Sequence, residues 1–129
     1  MEQGEVDRLR IIIFEENRIQ RSHMKKVISE TEPDAEIFAF AELEKTLSYV
    51  KMNQPEVAFI SVENTDGRGY FLIKKMKSLS PHTNVIAVAS QYRFEQELMS
   101  LRISGYVTEK LTRNIVLDEM ANLRYVESG

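Results

Sequence analysis

Five short runs rich in β-branched and aromatic residues alternate with five longer stretches of helical spacing, and this alternation restricts the fold more than any other feature. The short runs are 9–14, 36–40, 57–62, 85–89 and 105–108, and the helical stretches are 18–31, 41–52, 67–79, 93–103 and 112–125. Strands separated by helices in this way specify βαβ units and a parallel sheet. Ile11-Ile12-Ile13-Phe14 and Val57-Ala58-Phe59-Ile60 are continuously apolar rather than alternating, the texture of strands covered by helices on both faces. Glu32-Pro33-Asp34, Asn53-Gln54-Pro55 and Ser80-Pro81-His82 stop the first three helices, each just before a strand. Thr112 is placed to N-cap the last helix. The chain therefore reads as (βα)₅, an open doubly wound α/β sandwich around a five-stranded parallel sheet.

The 129 residues fit one domain, assigned to 1–129 with a core of about 8–125 and short polar tails. With 43% apolar residues spread along its length, the chain carries enough side chain to bury a core, which excludes intrinsic disorder. Its 17 basic and 20 acidic residues leave a net charge of −3, which excludes the electrostatic footprint of direct nucleic-acid binding. Zero cysteines remove thiolate nucleophiles, disulfides and Cys-type zinc sites, and fit a reducing compartment. No apolar run approaches the ~20 residues of a membrane span, and the first ten residues are too polar and acidic for a secretory leader. A soluble, cytoplasmic domain without membrane contact is the expectation.

Ligands of doubly wound sheets bind beyond the carboxyl ends of the strands, so chemistry is expected just after Phe14, Val62, Ala89 and Thr108. Glu15 and Glu16 follow the first strand; adjacent carboxylates suit a hard cation such as Mg²⁺, and equally suit a solvated helix start. Ser61 ends the third strand and needs a neighbouring base to act as a nucleophile. The two histidines are His23, on the first helix, and His82, before the fourth strand, and neither is expected at the carboxyl rim. Gly67-Arg68-Gly69 reads as a turn and is too sparse for a phosphate-cradling loop. The rim thus offers carboxylates and hydroxyls without an assembled catalytic set, and no enzymatic activity is expected.

From residue 8 to residue 125 the ordered set of segments resembles the receiver domain of bacterial two-component response regulators. Pro55-Glu56-Val57-Ala58-Phe59-Ile60-Ser61 is similar to the family's strand that ends in the phosphorylated aspartate, and Gly69-Tyr70-Phe71-Leu72-Ile73 to the segment that follows it. Ser104-Gly105-Tyr106-Val107 and residues 118–125 resemble receivers joined to DNA-binding output domains such as the LytTR type. The resemblance implies a flavodoxin-like fold and a set of equivalences at the rim. Ser61 stands at the phosphoacceptor position, where a hydroxyl cannot form the acyl phosphate. Glu15 and Glu16 take the place of the acidic Mg²⁺ pair, and Glu63 is positioned to join them. Ala89 replaces the hydroxyl residue that meets the phosphoryl group, with Ser90 beside it directed to the other face. Glu109 replaces the phosphate-pairing lysine, and Lys110 follows one residue late. Tyr106 keeps the aromatic switch position.

The expectation is a degenerate receiver, or pseudo-receiver, that signals by protein contact without conventional aspartyl phosphorylation. No cofactor is expected, with Mg²⁺ at Glu15, Glu16 and Glu63 as the alternative. In the family, the surface of the fourth helix, fifth strand and fifth helix dimerises or touches an output domain. Here Ile115, Val116, Met120 and Leu123 form the core stripe of the last helix, with Leu117 on its flank. Phe94, Leu98, Met99, Leu101 and Ile103 spread too widely for one core face, so Phe94, Leu101 and Leu117 are the candidate contacts for a homodimer or an output domain. A DNA-binding output domain for transcriptional control is expected beyond residue 129. Two readings stay open beside this one: an atypical receiver that is still phosphorylated, and a flavodoxin-like domain that binds a small ligand at the same rim.

Overall fold

The computed structural model describes residues 8–62, 67–89 and 95–126. Its elements follow in the order β1 (Arg10–Phe14), α1 (Arg18–Thr31), β2 (Glu36–Phe40), α2 (Leu43–Asn53), β3 (Val57–Ser61), α3 (Arg68–Leu79), β4 (Asn84–Val88), α4 (Glu95–Met99), β5 (Gly105–Val107) and α5 (Arg113–Ala121). The five strands form one parallel sheet in the order β2-β1-β3-β4-β5. The chain starts in the middle, steps outward to β2, returns across β1 to β3, and then continues outward. This reversal makes the carboxyl ends of β1 and β3 the topological switch point.

The unbroken apolar runs are explained by burial on both faces. Ile11, Ile13, Val57 and Phe59 pack against α1 and α5, meeting Met24, Ile28 and Val116. Ile12, Phe14, Ala58 and Ile60 point the other way, against Leu72, Ile73 and Met76 of α3, Val50 of α2 and Leu98 of α4. Central β1 and β3 residues are fully buried whichever way they face, so alternation of polarity is lost. In the edge strand β2 exposure alternates at the start: Glu36 and Phe38 are exposed with Ile37 half-buried between them, and Phe38 lies against Tyr49 with ring centroids 5.0 Å apart.

Each helix ends where the local chemistry permits. Asn17 caps α1 by accepting from the Gln20 N–H, and Thr112 caps α5 by accepting from the Ile115 N–H. Two helices are shorter than their apolar spacing suggested. In α4, the Ser100 hydroxyl turns back to the Glu97 carbonyl at 2.6 Å, and Arg102 adopts a left-handed conformation at φ 60°. Leu101 and Ile103 therefore leave the helical path and drop onto the core, which accounts for an apolar spread too wide for one helix face. At the end of α5, Asn122 folds its amide onto the Asp118 carbonyl at 2.7 Å. The backbone beyond it is captured by Asn84, whose amide donates to the Tyr125 carbonyl at 2.7 Å and accepts from the Tyr125 N–H at 2.6 Å. Among the described residues no helix is long and apolar enough to cross a membrane.

Candidate functional site

The switch point holds a pocket of about 310 Å³. Its first wall comes from the turn after β1. The Glu15 N–H continues the ladder to the Phe40 carbonyl at 3.0 Å, and the Glu15 carboxylate folds back to accept from the Asn17 N–H at 2.9 Å. Arg21 braces this turn from α1, donating to the carbonyls of Glu15 and Glu16 at 2.9 and 3.2 Å. Glu15 is consequently buried and lines the pocket. Glu16 does not line it: its carboxylate accepts from the Arg68 guanidinium at 2.7 Å.

The second wall is the end of β3. Ser61 shares the sheet face of Val57 and Phe59, toward α1, because side chains alternate along a strand. It lines the pocket at 1% exposure. The backbone is closed around it by the Val62 N–H on the Val88 carbonyl at 2.9 Å and the Ala89 N–H on the Val107 carbonyl at 2.8 Å. Its hydroxyl makes no hydrogen bond to any described residue. Ala89, Glu109 and Lys110 complete the rim from the ends of β4 and β5.

The expectation that no histidine reaches this rim is wrong for His23. The helix α1 begins at the rim, so the stripe Gln20, His23 and Met24 still faces the pocket before the helix descends along the sheet. The sequence signal was present in that i, i+3, i+4 spacing with Met24 as its core anchor. The His23 Nε2–H donates to the Leu111 carbonyl at 2.9 Å, and so ties α1 to the loop before α5. His23 makes no bond to Ser61, so the two form no nucleophile–base couple. His82 lies at the opposite end of the sheet, stacked on Tyr125 at 5.1 Å.

The structure thus brings together Glu15, Ser61, Ala89 and Glu109, adds His23 and Lys110, and leaves Glu16 aside. Strand alternation had argued against Lys110 as a pocket residue, but it lies in the loop beyond β5, where alternation no longer applies. Among the described residues no group of three or more His, Asp or Glu side chains could hold a metal ion. Glu16 is paired with Arg68 while Glu15 turns back to the Asn17 N–H, so the two carboxylates after β1 have different partners. Tyr106 is half-buried on the other sheet face, with Leu98 and Ile103. Leu101 is half-buried on the same cluster, and Leu117 is 49% exposed on α5. Glu63, Ser90 and Phe94 lie outside the described residues.

The fold and this pocket can be set beside known proteins. No protein-family model matches the chain, and no curated protein matches it. Solved structures do. The bacteriophytochrome response regulator RtBRR superposes with a TM-score of 0.78 at 12% identity, covering 95% of this chain and 82% of that one. The fold is that of a receiver domain. A CheY-like receiver domain protein from Methanospirillum hungatei gives a TM-score of 0.74 at 19% identity, over 89% of this chain and 92% of that one. The receiver domain of a putative LuxO repressor protein from Vibrio parahaemolyticus gives 0.76 at 12% identity, over 88% of each. At such identities the receiver fold is what is shared; residue roles rest on this chain's own pocket.

Proposed function

We propose that this chain is a pseudo-receiver: a non-enzymatic, cytoplasmic signalling module that acts by protein contact and is not phosphorylated by the conventional aspartyl route. The observation that carries this reading is Ser61 and Glu109 on the walls of one pocket at the switch point. Phosphoryl transfer runs on positioning and neutralisation of charge. In this pocket a hydroxyl replaces the carboxylate that would accept phosphorus, and a carboxylate replaces the cation that would steady it. Ala89 supplies no hydroxyl to meet a phosphoryl group. Ser61 and Ala89 together leave the pocket without the usual nucleophile and without a hydroxyl sensor, and the lysine position itself holds Glu109, with Lys110 one residue later at the mouth of the same lining.

What remains for such a module is its surface. We place the contact on the α4–β5–α5 side, where Leu117 is 49% and Met99 is 54% exposed, with a second copy or a DNA-binding output domain as the partner. Transcriptional control belongs to that output domain, since the charge of this chain does not favour nucleic acid. The reading is tested by incubating the protein with acetyl phosphate and Mg²⁺, and separately with beryllofluoride, followed by intact mass and amide NMR. Unchanged mass and unchanged spectra are expected. Phosphoryl uptake, on Ser61 or elsewhere in the pocket, would overturn it.

A further inference from the structure

We infer that the pocket at the switch point binds a small organic ammonium, a primary amine on a short apolar body, where a phosphorylated relative would carry its phosphoryl group. The inference rests on the pseudo-receiver reading, since it assigns the same pocket a different occupant. Its first support is the Ser61 hydroxyl, which is 1% exposed, lines the pocket and has no partner among the described residues. Buried polar groups are nearly always satisfied, and the exceptions mark places where something is missing. The hydroxyl oxygen can accept from an ammonium N–H.

The second support is the distribution of acceptors. Glu15 is buried at 6% exposure and uses one carboxylate oxygen for the Asn17 N–H at 2.9 Å, its other oxygen having no hydrogen-bond partner among the described residues. Glu109 and Lys110 also line the pocket, and both are exposed at its mouth, so Glu15 is the one buried charged group of the lining among the described residues. His23 commits its Nε2–H to the Leu111 carbonyl, so that nitrogen is not free to donate to a ligand. Beyond the mouth, an anion meets the buried Glu15 carboxylate, whereas a cation with N–H donors meets the acceptors of Glu15 and Ser61. Met24, Val88 and Leu111 make the remaining wall apolar, which suits a short hydrocarbon body. The volume, 310 Å³, sits at the lower end of the ~300–1,000 Å³ usual for ligand pockets, so the body is small.

The test uses the intact chain labelled with ¹⁵N and titrated with n-butylamine, or with butyrate as its anionic counterpart, to about 10 mM, a range that saturates a millimolar site. Saturable amide shifts at residues 20–24, 60–62 and 109–111 are expected with the amine and not with butyrate. Ser61→Ala and Glu109→Gln are each expected to weaken amine binding about tenfold, the loss of one charge-assisted contact. Both substitutions alter only the side chain, and circular dichroism is the check that the variants are folded. Equal shifts with butyrate, non-saturating shifts, or affinity indifferent to Ser61→Ala would refute the amine site. Phosphoryl uptake together with intact amine shifts would overturn the pseudo-receiver reading alone; neither uptake nor shifts would overturn the amine site alone.

Discussion

Gly69, at the start of α3, lies against the end of β3 so closely that a Cβ added there would collide with the Ser61 carbonyl. The collision is with backbone, which cannot swing aside, and it would push α3 off the strand that carries the pocket's hydroxyl. Gly69→Ala is expected to cost about 1–3 kcal/mol, the usual penalty of overpacking, as measured by urea denaturation. Gly105 makes the contrasting case: a Cβ there meets only the carboxylate end of Glu119, a flexible group, so Gly105→Ala should cost less in the same assay. Glu119 itself has a pH signature. Burial, and then the neighbouring Asp118, raise its pKa above the usual 4.5. The folded state therefore holds the proton more tightly than the unfolded chain does. The stabilising contribution is complete below pH 4.5 and is lost as pH rises through the folded value. Glu119→Gln should raise Tm at neutral pH, with the gain vanishing on acidification below 4.5. The gain is small, because the carboxyl remains partly in water.

Among the elements, β4 and the segment after α5 are joined most specifically. Asn84 is 2% exposed at the start of β4, and its side chain binds the backbone of Tyr125 in both directions. The same amide donates to the Glu56 carbonyl at 3.1 Å, and its oxygen accepts from the Ser104 hydroxyl at 2.7 Å. Lys77 sits 4.8 Å over the Tyr125 ring while donating to the Pro81 carbonyl at 3.0 Å. The chain leaving α5 is thus fastened beneath the amino end of the sheet, remote from the pocket. Asn84→Ala leaves buried donors and acceptors without partners, at about 1–3 kcal/mol for each orphaned group. A fall in stability of about 3 kcal/mol is expected by that arithmetic. Amide exchange at Tyr125 should accelerate more than exchange in β1, which a uniform loss of stability would not produce.

For the whole molecule, the decisive property is a sheet whose two faces are both covered while its carboxyl rim stays open. Closed faces leave the two ends of the sheet and the outer helix surfaces for function. If the α4–β5–α5 side is the signalling surface, the protein should self-associate through it. Sedimentation at rising concentration is expected to show a dimer that Leu117→Glu abolishes, since Leu117 is 49% exposed and outside the core. A chain that stays monomeric throughout would remove self-association from the proposed function and leave only an output domain as partner.

How much of this was legible beforehand depends on how far along the chain each interaction reaches. The unbroken runs of β1 and β3, the proline-marked helix ends and the Thr112 cap are written within a few residues of one another, so fold class and the residues of the rim follow from the sequence. The premature ends of α4 and α5 do not, because apolar spacing continues through Leu101, Ile103 and Leu123 while the backbone has already turned. The site shows the same division. That Ser61 and Glu109 occupy the rim is a matter of strand endings. That Glu16 turns away to Arg68, 52 residues later, and that His23 reaches the Leu111 carbonyl, 88 residues later, are settled only when α1, α3 and the β5–α5 loop converge. The sequence determined which side chains stand at the carboxyl ends; the packing of distant elements decided which of them share a pocket, because the direction of a rim side chain is set by partners that local periodicity does not encode.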